Sequence, residues 1–273
     1  MAAMVETGKA RLTWSADGST VTKVPTRPWT DPVLGDGRRV FRNEQRVHRL
    51  LAVAPPPVRV PAFIGARRGR WLEVEAIAGE PLGPKYPLAL APADLVALVD
   101  LAGRLGSYRP RRRWFRRFPL EQRIAAHHGR GLLSEADVAA IRRLVERQPP
   151  RLRFAHGDIT ARNVLRAPSG ELVLIDWEWA GLYPDGYELA FLWFALADLP
   201  EGRAAVAGAV EKHQRVWFTL SALFVQLLHL HMWRERDEDV RPVHHETLAA
   251  LLAATRDLAA SPTISSGRST VSI

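Results

Sequence analysis

Residues 156–187 read HGDITARNVLRAPSGELVLIDWEWAGLYPDGY, and the order of their polar residues decides how the rest of the chain is read. Asp158 is followed five positions later by Asn163, and a second carboxylate, Asp176, closes the apolar run 172–175. The segments 163–165 and 171–175 have the Leu, Val and Ile content of short strands, and Ala-Pro-Ser-Gly at 167–170 breaks between them as a turn. A hairpin of that length returns Asp176 to the side of Asn163. Asp and Asn also serve simply to close turns, but that reading leaves the second Asp and the hairpin as coincidence.

Oxygen donors gathered in this order suit phosphoryl transfer from a nucleoside triphosphate. Mg²⁺ prefers octahedral oxygen coordination and usually takes only one or two protein ligands beside the phosphates. In the kinase arrangement an Asp accepts the proton of the acceptor hydroxyl. An Asn five positions on binds metal, and an Asp from the following hairpin binds metal across the phosphates. Asp158 is thus the candidate base, and Asn163 and Asp176 are the candidate Mg²⁺ ligands.

The same residues resemble the aminoglycoside phosphotransferase and choline kinase-like families, small-molecule kinases that share the protein-kinase fold. The HGD-x-x-x-x-N pattern of those families is similar to His156, Gly157, Asp158 and Asn163 here. Their metal-binding Asp, usually followed by a bulky residue and an acid, is similar to Asp176-Trp177-Glu178. Ala161-Arg162-Asn163 resembles the tyrosine-kinase version, which would let Arg162 touch the transferring phosphoryl group or the acceptor. At 187–190, Tyr-Glu-Leu-Ala, Glu188 stands where the family usually has the Asp of an Asp-Leu-Ala.

The resemblance implies an α+β, bilobal protein-kinase-like fold. Residues 1–78 form a small antiparallel-sheet N-lobe and residues 79–260 a mainly helical C-lobe, with the site in the cleft between them. It also implies ATP or GTP as donor, and a structural place for His156 behind the loop.

Upstream, 12–14 and 20–24 alternate as strands around Ser-Ala-Asp-Gly, whose Asp17-Gly18 pair suits a tight turn. The second strand carries Lys23. In the family such a Lys reaches the α and β phosphates and is held by a Glu on the next helix. Residues 41–51 have apolar positions 47, 50 and 51 at helical spacing, and Glu44 lies on the inward flank. Lys23 is therefore paired with Glu44, with Arg42, Arg46 and Arg49 as rival partners for the acid. One departure stands out. Only 22 residues precede Lys23, and Gly8 is the sole glycine before the turn, so any loop covering the phosphates is minimal. Gly8-Lys9 lacks the earlier glycine and the preceding strand of a Walker A loop.

After Pro55-Pro56-Pro57, residues 58–64 read as a strand, and 70–78 as another running into Gly79-Glu80-Pro81-Leu82. A similar Gly-x-Pro-Leu marks the family's hinge, where backbone groups of Glu75, Ala76 and Ile77 would meet the purine edge. Helices follow at 92–105 and, from a Ser134 capping box, at about 135–147. Residues 216–233 approach transmembrane length, but Thr219, Ser221, Gln226, His229 and His231 suit a buried helix better. A last helix is expected at about 244–260, then a polar tail, 261–273, expected to be disordered.

A chain of 273 residues buries roughly 75 % of its extended surface, and 47 % apolar with 25 % charged residues is ordinary for a globular protein. The absence of cysteine excludes disulfides, thiolate–zinc sites and cysteine nucleophiles. The first 14 residues lack an apolar signal core and a basic leader, which points to a cytoplasmic enzyme. Six arginines in 109–117 supply much of the net charge of +9. That run could be a solvated linker or contact a phosphate or an anionic substrate; nucleic acid and membrane are the weaker readings of it.

The acceptor is left open between two charge types. Glu178, Asp185, Glu188, Glu201, Glu235, Asp237, Glu238 and Asp239 would suit a polycation such as an aminoglycoside, while the arginines would suit a neutral or anionic acceptor. The overall reading is a small-molecule kinase acting on an antibiotic-like hydroxyl compound, with a role in antibiotic resistance. The competing readings are a kinase of a primary metabolite such as choline or an amino sugar, and a nucleotide-binding pseudokinase or regulatory protein.

Overall fold

The N-terminal sheet grows from the hairpin whose turn holds Asp17 and Gly18. In the computed structural model, which describes residues 4–6, 9–26, 29–31, 35–235 and 238–261, β2 (Ala10–Trp14) pairs antiparallel with β3 (Thr20–Pro25), and β1 (Met4–Glu6) adds at the outer edge. Gly18 takes a φ of 72°, which its missing Cβ permits. Asp17 closes the turn by accepting from the hydroxyls of Ser15 and Ser19 and from the Ser19 amide. A short ladder of β4 (Thr30–Asp31) and β5 (Gly35–Asp36) then feeds α1 (Gly37–Val53). Asp36 caps this helix by accepting from the Arg38 amide at 2.8 Å.

β6 (Phe63–Arg67) and β7 (Trp71–Glu75) complete an antiparallel sheet of order β1-β2-β3-β7-β6. The strand expected over 58–64 begins only at Phe63. Residue 59 instead bridges to Val173, and its guanidinium reaches Glu75. That arrangement turns the backbone of this stretch to the β10–β11 hairpin and leaves only its side-chain charge on the sheet, at the end of β7.

Beyond residue 79 the chain turns mainly helical. β8 (Glu80–Pro81) leads through an irregular stretch to α2 (Pro92–Ser107), α3 (Leu120–His128) and α4 (Glu135–Arg147). The capping box of α4 is formed: the Ser134 hydroxyl accepts from the Asp137 amide, and Asp137 accepts from the Ser134 amide. β9 (Leu152–Ala155), β10 (Val164–Arg166), β11 (Leu172–Leu174) and β12 (Gly181–Pro184) follow. β11, β10 and β8 form one small antiparallel sheet, and β12 pairs with β9. α5 (Tyr187–Ala195), α6 (Pro200–Ala209), α7 (Arg215–Glu235) and α8 (Pro242–Ala260) complete the lobe.

α7 is apolar on all sides, and residues 216–231 are all buried. Such a helix belongs in the middle of a helical layer, and α5 and α8 pack on it. Among the described residues it is the one helix long and apolar enough to cross a membrane, and 89 % of the relevant window is covered by protein. Behind the hairpin β10–β11, Trp177 is fully buried, stacks on Phe154 at 6.1 Å and donates its indole N–H to the Leu174 carbonyl. This aromatic layer fixes the hairpin to the core. The readings that fall on Gly8, on Asp237 and on the tail after Ser261 lie outside the described residues.

Candidate active site

Lys23 lies in the middle of β3, and its Nζ stands 2.9 Å from Glu44 Oε1 on α1 and 2.9 Å from Asp176 Oδ1 after β11. Sheet, helix and hairpin therefore meet at one ammonium. Glu178 Oε2 adds a third carboxylate at 3.9 Å and also pairs with Lys9 Nζ at 3.2 Å. Lys9 stands immediately before β2, and its ammonium lies over the rings of Trp29 and Trp179. Its role at the site carried no sequence signal beyond a Gly-Lys pair. Lys9, Lys23 and Glu178 also line a cavity of about 230 Å³ with Trp29 and Phe41.

The catalytic-type loop is shaped by glycine and histidine. Gly157 has a φ of 85°, and a Cβ on it would lie 2.8 Å from the Trp179 carbonyl oxygen and 3.0 Å from the Tyr183 hydroxyl. Only glycine suits that conformation in that space. Its amide donates to Glu188 Oε1 at 2.9 Å. His156 is fully buried; it bonds the Ile175 carbonyl through Nε2 at 2.9 Å, while its Nδ1 accepts from the Asp158 amide at 3.3 Å. One neutral tautomer makes both bonds, and burial keeps the ring's pKa below its ordinary value. The ring thus ties the loop that carries Asp158 to the strand that carries Asp176, a structural duty.

Asn163 Nδ2 donates to the Asp158 carbonyl at 2.8 Å and to Asp158 Oδ2 at 3.1 Å. The Ile175 amide donates to the Asn163 carbonyl at 2.9 Å, so the hairpin brings Asn163 and Asp176 side by side as its length implied. Asp176 is the only non-glycine among the described residues with a positive φ, 65°. A left-handed Asp costs of order 1–3 kcal/mol and persists where its surroundings impose it; here the bond to Lys23 does so.

The charges around Lys23 are unbalanced. Oxygens of Glu44, Asp176 and Glu178 all lie within 4.8 Å of one another. Burial works against ionisation of Asp176, but the Lys23 ammonium outweighs it and holds the carboxyl at about 2. For Glu44 burial wins, reinforced by the two other carboxylates, and pushes it up to about 7 in spite of Lys23. Burial likewise disfavours the charged Lys23, yet Asp176, Glu44 and Glu178 keep it protonated, well above its ordinary value. Excess carboxylate oxygen around one ammonium, with the Asn163 amide beside it, is a hard donor set that suits Mg²⁺.

Other expected residues fall into place unevenly. Arg162 is exposed and makes no ion pair or hydrogen bond among the described residues. At the expected hinge the Glu75 amide donates to the Ala62 carbonyl and the Ala76 amide to the Ser19 carbonyl, both at 2.9 Å. Of the three residues only Ile77 keeps an amide without a backbone partner among the described residues. Within the arginine run, Arg112 and Arg117 join Arg151 and Arg153 around a cavity of about 360 Å³ beside the start of β9. That cavity lies at the end of the strand opposite Asp158.

Two further cations were not visible in the sequence. Lys85 comes from the irregular stretch after β8, and its Nζ is 3.1 Å from Asp158 Oδ1. It also lies over the rings of Tyr86 and Phe191. Arg123 of α3 is within range of the charges of Tyr187, Tyr183 and Asp31. The segment around Lys85 has no helical or strand period, and α3 buries only Ile124 and His127, so neither residue carried a positional signal.

The sequence model of the phosphotransferase enzyme family matches residues 11–223. No curated protein sequence matches the chain. A choline/ethanolamine kinase family protein from Mesorhizobium loti has a similar structure, with a TM-score of 0.62 and 12 % identity over 96 % of this chain and 89 % of that one. The choline kinase of Streptococcus pneumoniae aligns with a TM-score of 0.61 and 13 % identity, over 93 % of this chain and 94 % of that one. The GDP complex of aminoglycoside 2'-phosphotransferase-IIIa aligns with a TM-score of 0.58 and 18 % identity, over 94 % and 93 % respectively. At such identities these likenesses establish the bilobal kinase-like fold, with its antiparallel N-terminal sheet and helical C-terminal lobe.

Proposed function

Because the chain belongs to the phosphotransferase enzyme family, we propose that it transfers the γ-phosphoryl group of ATP or GTP to a hydroxyl of an antibiotic-like small molecule. An aminoglycoside or another sugar- or nucleoside-containing antibiotic is the acceptor class, and antibiotic resistance is the corresponding role. The observation that carries this reading is the convergence of Lys23, from the sheet, on Asp176, which shares one hairpin with Asn163, the residue whose amide bonds Asp158.

Each residue then has a task. Asp158 orients the acceptor hydroxyl and takes its proton. The acceptor oxygen forms the new P–O bond as the bond from the γ-phosphorus to the bridging oxygen breaks, and the electron pair leaves with the nucleoside diphosphate. Lys23, steadied by Glu44, neutralises the α and β phosphates. Asn163 and Asp176 would hold Mg²⁺, which supplies charge neutralisation on the phosphate oxygens when bound. The backbone at Ile77 is left to meet the purine edge, since the Glu75 and Ala76 amides serve the sheet. Arg162, exposed at the loop, is free to reach the phosphoryl group or the acceptor. Such a site works by positioning and electrostatic stabilisation. A cytoplasmic setting accords with a nucleoside triphosphate donor.

The test is to incubate the protein with Mg²⁺, ATP or GTP and a panel of hydroxylated antibiotics, amino sugars and choline, and to read the acceptors by mass spectrometry. An acceptor that gains one phosphoryl group supports the reading. Nucleotide binding with no turnover of nucleotide under any condition favours a pseudokinase.

A further inference from the structure

We propose that the acceptor of this enzyme carries an anionic group, a carboxylate or a phosphate, which Arg123 and Lys85 bind on the acceptor side of Asp158. The inference rests on the phosphotransferase reading above and narrows its substrate class.

The Nε and Nη1 of Arg123 are buried and find no hydrogen-bond partner among the described residues. A guanidinium removed from water is costly unless its donors are matched. Its flat fork of N–H groups matches a carboxylate or a phosphate in two-point fashion. Phe118, two residues before α3, packs on two tyrosines, Tyr183 at 5.6 Å and Tyr187 at 5.8 Å. Tyr183 and Tyr187 stack with ring centroids 4.1 Å apart, and both lie within reach of the charges of Arg123 and Asp158 alike. The Tyr183 hydroxyl also crowds the open face of Gly157, next to Asp158. This tyrosine pair thus links the start of α3, the helix that carries Arg123, to the loop that carries Asp158.

Among the described residues the charge of Asp31 bears on Arg123, and Asp31 also pairs with His231 at 3.2 Å. Arg116 adds further positive charge to the same neighbourhood. From the other side, Lys85 presents its ammonium 3.1 Å from Asp158.

Of the acids that would have welcomed a polycation, the three on the segment from Asp176 to Glu188 are spoken for. Glu178 serves Lys9 and Lys23 on the nucleotide side. Asp185 binds Arg153 and Gln214, and Glu188 accepts from the Gly157 amide. A cationic acceptor entering beside Asp158 would face Lys85 and Arg123 with few carboxylates in compensation, and like charges at a binding site exclude the wrong partner. An acceptor with a hydroxyl at Asp158 and an acid group toward Arg123 matches the unpartnered guanidinium and leaves the Lys85 ammonium balanced when Asp158 turns to the hydroxyl.

The experiment measures nucleoside diphosphate release with Mg²⁺ and ATP or GTP against three acceptor sets. The first holds hydroxy acids, sugar acids and sugar phosphates, the second neutral sugars and nucleosides, the third aminoglycosides and choline. Within the first set, carboxylate and phosphate members distinguish the two anions. Turnover concentrated in the first set is expected. With the best acceptor, Arg123→Gln should raise KM at least tenfold while lowering kcat less, Arg123→Lys should recover part of that loss, and Lys85→Gln should raise KM as well. Melting temperatures of the variants separate a binding effect from misfolding. Turnover confined to polycations or neutral sugars overturns the inference. So does an enzyme that hydrolyses Mg-nucleotide but phosphorylates no anionic acceptor, which leaves the phosphotransferase reading standing. Complete absence of nucleotide turnover sinks that reading, and the inference with it.

Discussion

Lys23 Nζ lies 2.9 Å from Asp176 Oδ1, joining β3 of the N-terminal sheet to a loop 153 residues further along the chain. The contact does two things. It places the ammonium over the hairpin carrying Asn163, and it offsets part of the charge of three clustered carboxylates.

Removal of that ammonium should therefore damage both stability and turnover. Breaking a buried pair by deleting one partner costs about 3–5 kcal/mol, and Lys23 with Glu44 is close to that limit, their side chains being 19 % and 3 % exposed. Lys23→Met is expected to lower the urea midpoint and to lose most nucleotide turnover. Adding Glu44→Gln should restore part of the stability and none of the turnover. A double-mutant cycle measured by urea unfolding reads the coupling directly.

Gly157→Ala tests the loop geometry. The added Cβ meets the Trp179 carbonyl at 2.8 Å, and a φ of 85° is strained for alanine. A loss of about 1–3 kcal/mol is expected from the backbone alone, together with misplacement of Asp158 and a drop in kcat. Thermal unfolding and steady-state kinetics report the two effects separately.

Glu188 accepts from the Gly157 amide, and its carboxyl is pushed up to about 7 by burial, against the hydrogen bonds it receives and with Asp158 adding to the rise. A raised carboxyl binds its proton more tightly in the folded chain. Its contribution is complete below about 4.5 and is lost as pH rises through about 7. At about 1.4 kcal/mol per pKa unit, Glu188→Gln should gain up to about 3 kcal/mol over the parent above that pH, because the amide still accepts from Gly157. Glu188→Ala should instead be less stable than Glu188→Gln at every pH, since it orphans a buried N–H, which costs about 1–3 kcal/mol.

Buried histidines act in the opposite sense. Burial holds His48 and His127 at about 3 and His244 at about 4, and it lowers His156. A depressed histidine gives stability that is present above 6.5 and lost as pH falls toward the folded value. These four groups outnumber the two raised carboxyls of Glu44 and Glu188, so the urea midpoint should be lower at pH 5 than at pH 7. Both ring nitrogens of His127 are buried without a partner among the described residues. His127→Leu should consequently stabilise the protein more at pH 5 than at pH 7, and a midpoint independent of pH would contradict this.

The hairpin was legible because two apolar runs flank a Pro/Gly break, and the Ser134 capping box because its acid sits three residues along. Trp177 and His156 were readable as neighbours of the motif, and only the packing tells that both hold the hairpin from behind. The strand at 58–64 was misplaced because the backbone of Arg59 pairs with β11 outside the sheet, a tertiary effect that no local pattern carries. Backbone choice is similarly silent: nothing in the side chains of Glu75 and Ala76 says that their amides belong to Ala62 and Ser19. The acids read as a docking surface for a polycation turned out to include Glu178, Asp185 and Glu188, each with a partner of its own. Lys85 meets Asp158 from a segment without periodicity, and Arg123 lies on a short helix with only two buried residues, so only the folded chain reveals them.

The most direct test of the central claim is the rate of Mg²⁺-dependent acceptor phosphorylation by Asp158→Ala beside the parent enzyme, at matched folding as judged by circular dichroism. Removal of a positioned base typically costs about 10²–10⁴-fold. A loss of that size in kcat with nucleotide binding retained is the predicted result. An Asp158→Ala enzyme that keeps most of its turnover would contradict the assignment of the site.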